Sequence, residues 1–97
     1  MRKTSYPDII IDAIERRRII ELRYKDTRRR VRPHILGYVG EGELALSAWQ
    51  MTGTGVGWRL FHVDGISELA PTEDGFRSPS RGYNRNDPLF SRIIDRL

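Results

Sequence analysis

The spacing of apolar residues changes from helical to strand-like near residue 19. Before that point Ile10, Ala13 and Ile14 share one face of a helix, and Ser5 with Asp8 three residues later forms a capping box. Beyond it, apolar and charged residues alternate with a period of two, as in a strand that is buried on one face. The pattern therefore predicts an N-terminal helix followed directly by a strand.

Four further runs with strand character follow, separated by residues typical of turns. Glycine-rich hairpin signals stand at residues 40–42 and 53–55, and Asp64-Gly65 marks a third turn. The predicted strands cover residues 28–39, 44–51, 57–63 and 66–70. Pro33 marks an edge, a bulge or a bend in the first of them. One helix and five short strands predict an α+β, mainly β fold, whose sheet curls into a small barrel and so hides its edges.

The C-terminal part of the sequence predicts a linker and a second helix. Residues 72–88 are rich in Pro, Ser, Gly and Asn, and Asp87 with Pro88 provides a helix start signal. The helix would carry an apolar stripe made of Leu89, Phe90, Ile93, Ile94 and Leu97. We expect one domain, with the N-terminal helix and barrel in residues 1–76 and the linker and C-terminal helix in residues 77–97.

The predicted C-terminal helix needs a covering surface, because about ten residues do not form a stable helix alone in water. Its apolar stripe would dock either on its own barrel or on a second copy of the chain. We predict the second arrangement, a homodimer in which Arg92 and Arg96 approach the acidic middle of the partner.

Chain length and residue usage exclude several classes of protein. The chain has 97 residues, the size of one small domain. It contains no cysteine, which excludes disulfides, a thiolate nucleophile and cysteine-ligated metal sites. Its apolar runs are far shorter than the roughly 20 residues that span a bilayer, so we expect no membrane segment and a cytoplasmic location.

Charge is distributed unevenly along the chain. Residues 1–34 carry eleven Lys and Arg against five acidic residues, residues 35–76 one against six, and residues 77–97 five against two. The three parts have net charges of +6, −5 and +3, which give the overall +4. Basic ends around an acidic middle are compatible with a nucleic-acid partner, with pairing between copies, or with a solvated surface that has no partner.

Two stretches resemble the WYL domain family. The run IDAIERRRIIELRY at residues 11–24, with the basic strand that ends in Arg32-Pro33, is similar to that family's A-I-x-x-[RK]-x-x-[IVL]-x-[IL]-x-Y opening. The stretch WRLFHVDGIS at residues 58–67 looks like its R-x-F-x-x-x-R-I segment, so that the resemblance covers residues 9–76. It implies an Sm-like small barrel, a module of bacterial transcription regulators and phage-defence accessory proteins that senses nucleotide or nucleic-acid ligands.

Carried over position by position, the resemblance implies ligand contacts for Arg59 and Phe61. The neighbouring His62 would contact the same ligand. The chain departs from the family pattern at two places: Leu44-Ala45-Leu46 stands where the family has Trp-Tyr-Leu, and Gly65 stands where it has a second arginine. The module either binds a ligand with the residues that remain, or keeps the barrel and has lost the ligand site.

The basic strand is a second candidate site. Arg28, Arg30 and Arg32 alternate, so their side chains share one face at a spacing of roughly 6.6–7 Å, and Arg23 lies on the neighbouring strand. A row of planar guanidinium groups matches the phosphates of a single-stranded nucleic acid. The alternative is a charged exterior that protects an edge of the sheet.

No motif in the sequence points to catalysis or to a metal site. His34 and His62 lack metal-ligand spacing, and the Asp, Glu and Ser residues suggest no catalytic pairing. We therefore expect no enzymatic activity, no catalytic residue, no cofactor and no metal. The sequence favours a stand-alone module that binds nucleic acid or nucleotides in a regulatory or accessory role. The alternative is a protein-interaction or oligomerisation module.

Overall fold

A computed structural model of the protein describes residues 5–97. In that part of the chain there are one α-helix and six strands. The elements are α1 (Tyr6–Arg16), β1 (Arg18–Tyr24), β2 (Thr27–Val39), β3 (Glu43–Thr52), β4 (Gly57–His62), β5 (Ile66–Gly75) and β6 (Phe90–Arg96), with a 3-10 turn at Val63–Gly65. The protein is mainly β, as the sequence pattern predicts, with one strand more than expected.

The N-terminal helix α1 begins and ends where its sequence signals predict. The backbone N–H of Asp8 donates to Ser5 Oγ at 3.3 Å, and the Ser5 hydroxyl donates to Asp8 Oδ2 at 2.7 Å. Arg17 leaves the helix in a left-handed conformation with a φ of 53°, so that β1 starts at the next residue. Ile10 and Ile14 are buried in the core. The predicted helix followed directly by a strand is confirmed.

The strands form one antiparallel sheet with β2 at its centre. The hydrogen-bonded order is β4-β3-β2-β1-β5, and β6 also pairs with β2. On one side β3 follows nearly the whole of β2, whereas on the other side β1 covers its first half up to Val31 and β6 covers Ile35 to Val39. The register with β3 shifts between Pro33 and Ile35, where these halves meet. Pro33 therefore marks a bulge, which bends β2 at this point.

The sheet remains open, so the predicted closed barrel of five strands needs correction. β4 and β5 are the two ends of the strand order, and no backbone pairing joins them within the described chain. Only the turn at Val63–Gly65 separates them in sequence. This turn directs the chain from β4 across to β1, where β5 pairs, and the outer edge of β4 is left without a strand.

The prediction of a C-terminal helix is wrong, because residues 90–96 form strand β6. Beyond the end of β1, the second half of β2 would be an exposed edge if no strand lay beside it. Ile93 and Ile94 suit a strand better than a helix, since both side chains branch at Cβ. Gly37 leaves space for β6, because a side chain there would collide with the backbone of Arg92.

β5 is longer than the sequence pattern predicts. It passes through Pro71 and ends at Gly75, which is possible because it pairs with β1 alone and has no strand on its other side within residues 5–97. The predicted linker of residues 72–88 therefore shrinks to residues 76–89. We call these residues the connecting segment.

Two groups of buried apolar side chains form the core. The larger group joins α1 to the sheet and includes Ile20 and Leu36. The smaller group packs β6 against β2 and β3 through Phe90, Ile35 and Ala45. Among residues 5–97, no helix is long and apolar enough to cross a membrane.

Candidate functional site

The arginines predicted to bind phosphates lie in ion pairs. Arg23 Nε is 3.0 Å from Glu68 Oε2, and Arg28 Nη2 is 3.4 Å from Glu68 Oε1. Glu68 belongs to β5, so one carboxylate of that strand binds an arginine from β1 and another from β2. The structure brings these two residues together, as predicted, and Glu68 balances one of their two positive charges.

Arg30 is paired with two carboxylates. Its Nη2 lies 2.7 Å from Asp74 Oδ2, and its Nη1 lies 3.2 Å from Glu21 Oε2. The hydrogen bond that Arg30 donates to Asp74 raises the pKa of Arg30 above its ordinary value. A phosphate at this position would have to compete with two carboxylates that are already in place.

Arg32, the last member of the predicted row, differs from the others. It lies opposite Trp49 on β3, beyond the part of β2 that β1 covers, so the acidic strand β5 does not reach it. Its guanidinium has no carboxylate partner within residues 5–97. Arg23, Arg28 and Arg30 are therefore ion-paired, whereas Arg32 has no ion pair in the described chain.

Phe61 and His62, which the sequence places in a ligand site with Arg59, lie elsewhere. Phe61 is 1% exposed and packs edge-on against Tyr24, with ring centroids 5.1 Å apart. His62 Nδ1 lies 3.4 Å from Glu43 Oε2. In this fold Phe61 is a core residue, and neither side chain lines the cavity described next.

A cavity of about 290 Å³ lies between β4 and the connecting segment. Its volume is close to the lower end of the range for small-molecule pockets, which is about 300 Å³. The residues that give it chemical character are Trp58, Arg59 and Leu60 from β4 and Tyr83, Asn84 and Asp87 from the connecting segment. Arg59 is thus the one predicted site residue that the structure places at this cavity.

A cluster of four aromatic rings lies beside the cavity, and two of them, Trp58 and Tyr83, line it. The rings of Trp58 and Tyr83 are stacked, with centroids 6.2 Å apart and an interplanar angle of 25°. His34 packs edge-on against Trp58 at 4.7 Å, and Phe76 stacks on His34 at 5.7 Å. These four rings join β2, β4 and the connecting segment into one unit.

The guanidinium of Arg59 bonds to carbonyl groups rather than to an acidic side chain. Its Nη1 donates to the carbonyl oxygen of Trp58 at 2.9 Å, and its Nη2 donates to that of Thr54 at 3.4 Å. No carboxylate of residues 5–97 lies within ion-pair distance of it. Gly55 and Gly57 lie beside the guanidinium, where a side chain would come within 3.5 and 3.4 Å of its nitrogens. The absence of side chains there leaves the guanidinium open on that side.

Two polar side chains of the connecting segment face the cavity with part of their hydrogen-bonding capacity free. Asp87 Oδ1 accepts the backbone N–H of Leu89 at 3.0 Å. Asn84 Oδ1 accepts the backbone N–H of Asn86 at 3.1 Å. The other oxygen of Asp87 and the amide nitrogen of Asn84 make no protein hydrogen bond in the described structure. The cavity therefore offers one carboxylate and one amide donor around an apolar centre, and Arg59 belongs to its lining.

His34 fixes the connecting segment to the sheet and is fully buried. Its Nδ1 lies 2.7 Å from the carbonyl oxygen of Arg32, which only accepts, so Nδ1 carries the proton. Its Nε2 accepts the backbone N–H of Ser80 at 2.9 Å and is therefore unprotonated. Burial lowers the pKa of His34 and outweighs the hydrogen bond to Arg32, which raises it. The neutral ring is the form on which the bond to Ser80 depends.

Further hydrogen bonds hold the connecting segment in place. Trp58 Nε1 donates to the carbonyl oxygen of Arg81 at 2.8 Å. The Tyr83 hydroxyl donates to the carbonyl oxygen of Leu97 at 3.2 Å, and burial raises the pKa of Tyr83, which favours the neutral phenol that donates this bond. The segment is thus a defined wall of the cavity.

Sequence reasoning missed most of this site. Tyr83, Asn84 and Asp87 fall in a stretch that reads as a linker, and an aromatic residue within such a stretch was the one available signal. In the sequence, His34 draws attention only beside His62, and the two lack metal-ligand spacing. Among residues 5–97, no three His, Cys, Asp or Glu side chains are grouped to hold a metal ion.

Comparison of the chain with protein-family models, with curated proteins and with solved structures found no match. The resemblance to the WYL family therefore rests on the sequence pattern. The cavity has to be interpreted from its own chemistry.

Proposed function

We propose that the protein is a WYL-like binding module that holds a nucleotide, free or within a short single-stranded nucleic acid, in the cavity between β4 and the connecting segment. The observation that supports this best is that one small cavity combines two aromatic rings with an arginine that has no carboxylate partner. A nucleotide combines a planar ring, a polar edge and an anionic phosphate. Each of these three parts has a complementary group at the cavity.

The aromatic side of the cavity suits the base. Bases of single-stranded nucleic acids and nucleotides stack on aromatic rings, and the half-buried rings of Trp58 and Tyr83 both line the cavity. The free oxygen of Asp87 would accept from an amino or imino N–H of the base, and the amide of Asn84 would donate to a ring nitrogen or carbonyl. These two side chains would set the preference among bases.

Arg59 suits the phosphate. An arginine has five N–H donors, and two carbonyl groups engage only part of them. The glycines beside it allow an anion to approach the guanidinium without steric conflict. Arginine also binds phosphate in a bidentate manner, which a lysine does not.

The proposed role is regulatory or accessory. The connecting segment forms one wall of the cavity and leads directly into β6, so a bound nucleotide would stabilise the position of both. Nucleotide binding in the cavity would then affect the C-terminal surface of the protein.

Isothermal titration with the common nucleoside monophosphates at low salt tests the proposal. We expect binding, and we expect R59Q to weaken it at least about tenfold, as for loss of a charged hydrogen bond. Y83A should weaken it by about 5- to 100-fold through loss of stacking, whereas Y83F, which keeps the ring, should bind nearly as the original chain does.

R28Q is the matched control, because it removes an arginine that is already ion-paired. Nucleosides without phosphate and inorganic phosphate alone should both bind more weakly than the nucleotide. Absence of binding by any nucleotide or short oligonucleotide at millimolar concentration would contradict the proposal. If R28Q lowered the nucleotide affinity as much as R59Q, the result would contradict the assigned site.

A further inference from the structure

Three side chains form a row across one face of the sheet, from β2 through β3 to β4. Arg32 is the Cα partner of Trp49, and Trp49 is the Cα partner of Trp58. Side chains of directly opposed residues lie on the same face of a sheet. The neighbouring pair, Val31 and Gln50, is fully buried, and Val31 belongs to the core group that includes α1. Because successive residues of a strand alternate in direction, the row faces away from α1, and its three members are half-buried.

Arg32 lacks an acceptor both for its charge and for its N–H groups. Its Nε is buried without a hydrogen-bond partner, and its two terminal nitrogens make no hydrogen bond within residues 5–97. No carboxylate of the described chain lies within ion-pair distance of it. A half-buried guanidinium has lost part of its hydration, and proteins ordinarily offset that loss with an acceptor. An anion beside Arg32 would provide the acceptor that this part of the chain does not.

Trp49 adds an aromatic ring and a donor next to this charge. Its indole Nε1 makes no hydrogen bond with the described residues and is not among their buried atoms. Its ring packs edge-on against that of Trp58, with centroids 5.5 Å apart. Neighbouring strands are about 4.8 Å apart, so Arg32 lies one strand from Trp49 and two strands from Trp58. Since Trp58 lines the cavity, the row leads from the cavity to a second ring and then to a cation.

We infer that Trp49 and Arg32 form a second nucleotide subsite beside the cavity, so that the ligand is a single-stranded oligonucleotide of at least two units. This inference rests on the proposed nucleotide cavity and names its class of ligand. The base of the second unit stacks on Trp49, and its phosphate binds Arg32. A single nucleotide held by Trp58, Tyr83 and Arg59 leaves both of these groups unused. Aromatic rings alternating with basic groups are the usual surface for single strands.

Isothermal titration of matched ligands at low salt tests the second subsite. For each of the four DNA bases, the nucleoside 5′-monophosphate is compared with the 5′-phosphorylated dinucleotide of the same base. We expect the dinucleotide to bind at least about tenfold more tightly, through one further stacked base and one further phosphate contact. R32Q and W49A should each remove most of this gain. W49F, which keeps a ring for stacking, should retain most of it.

The monophosphate affinity is the internal control for each variant. Neither Arg32 nor Trp49 lines the cavity, so R32Q and W49A should leave that affinity within about threefold of the original. A variant that keeps it is folded and has an intact cavity. If W49A loses it through the contact with Trp58, R32Q decides the question, because the Arg32 side chain makes no hydrogen bond within residues 5–97.

Two further controls separate a specific subsite from general attraction to charge. R28Q removes the same formal charge from β2, at a position where Glu68 already pairs with the arginine, and should leave the gain nearly unchanged. A nucleoside 5′-diphosphate carries about the charge of the dinucleotide but has no second base. It should therefore bind less tightly than the dinucleotide does.

The inference is overturned if dinucleotides bind no more than about threefold more tightly than monophosphates, and in that case the proposed cavity still stands. It is also overturned if R28Q lowers the gain as much as R32Q, or if the diphosphate binds as tightly as the dinucleotide. Absence of binding by both monophosphates and dinucleotides at millimolar concentration would instead contradict the proposed function itself.

Discussion

The two halves of β2 support two surfaces, and these differ in whether their arginines are paired with carboxylates. Beside the first half, Arg28 and Arg30 are paired with carboxylates of β5 at 3.4 and 2.7 Å. Beside the second half, a cavity lies under the connecting segment, and Arg59 at its rim has no carboxylate partner in the described chain. We call the first surface the arginine face and the second the cavity face.

The difference shows that charge density along a sequence is a poor guide to the charge available to a ligand. The arginine face has the most basic stretch of the chain, and the fold brings the acidic strand β5 to it. The acidic middle of the sequence therefore meets the basic start within one molecule. Arg59, on a less basic strand, has no carboxylate partner within residues 5–97, and such a charge binds an anion without first breaking an ion pair.

The largest expected effect concerns the stability of the cavity face. His34→Ala removes two buried hydrogen bonds and leaves a cavity under the connecting segment, so it should lower the free energy of unfolding by about 3 kcal/mol. His62→Ala changes a half-exposed side chain and should cost about 0.5 kcal/mol or less. Urea unfolding of both variants provides the measurement. Equal effects would show that His34 does not hold the segment.

The next effect concerns nucleic-acid binding. Arg28→Ala combined with Arg30→Ala removes two charges that are already neutralised, so the affinity for a short single-stranded oligonucleotide should change less than about threefold. Arg59→Ala should lower the same affinity at least about tenfold. Fluorescence anisotropy at two salt concentrations compares them. The salt dependence of the affinity reports the number of phosphate contacts. If the double variant lost one to two of these contacts, the arginine face would instead be the interface.

A smaller effect is a dependence of stability on pH. Burial lowers the pKa of His34 below the ordinary value of 6.5, so the unfolded chain takes up this proton at a higher pH than the folded chain does. The stability due to the neutral ring is therefore complete above pH 6.5 and is lost as the pH falls below it. The loss is at most about 1.4 kcal/mol per pH unit.

Urea unfolding between pH 7.5 and 5 measures this dependence. His34→Gln keeps a donor and an acceptor but does not titrate, so its profile should be flatter than that of the original chain over this range. His62→Gln serves as the control and should leave the profile nearly unchanged. Identical profiles for the original chain and His34→Gln would contradict the neutral ring assigned to His34.

The N-terminal half of the fold could be predicted from the sequence because its signals are local. The Ser5–Asp8 cap and the change of period near residue 19 depend on neighbouring residues alone, and both are confirmed. The C-terminal strand could not be predicted in this way. Residues 90–96 have a helical spacing of apolar positions, and what decides their structure is the unpaired second half of β2, which is more than 50 residues away.

The same contrast between local signals and distant contacts explains which residues of the site could be predicted from the sequence. Arg59 was predicted through a resemblance, and the structure places it at the cavity. Tyr83 and Asp87 could not be predicted, because contacts between residues distant in sequence place them at the cavity, among them the bond of His34 to the backbone of Ser80 across 46 residues. No local pattern in the sequence encodes such a contact.

The most direct test of the cavity face as the functional site is a map of backbone and indole N–H chemical shifts during titration with a nucleoside monophosphate. We predict that the largest changes fall on the Trp58 indole and on the amides of Gly82, Asn84 and Asp87, while the amides of Arg28 and Arg30 stay nearly constant. Changes concentrated on Arg28 and Arg30, with the Trp58 indole and residues 82–87 unaffected, would contradict the account.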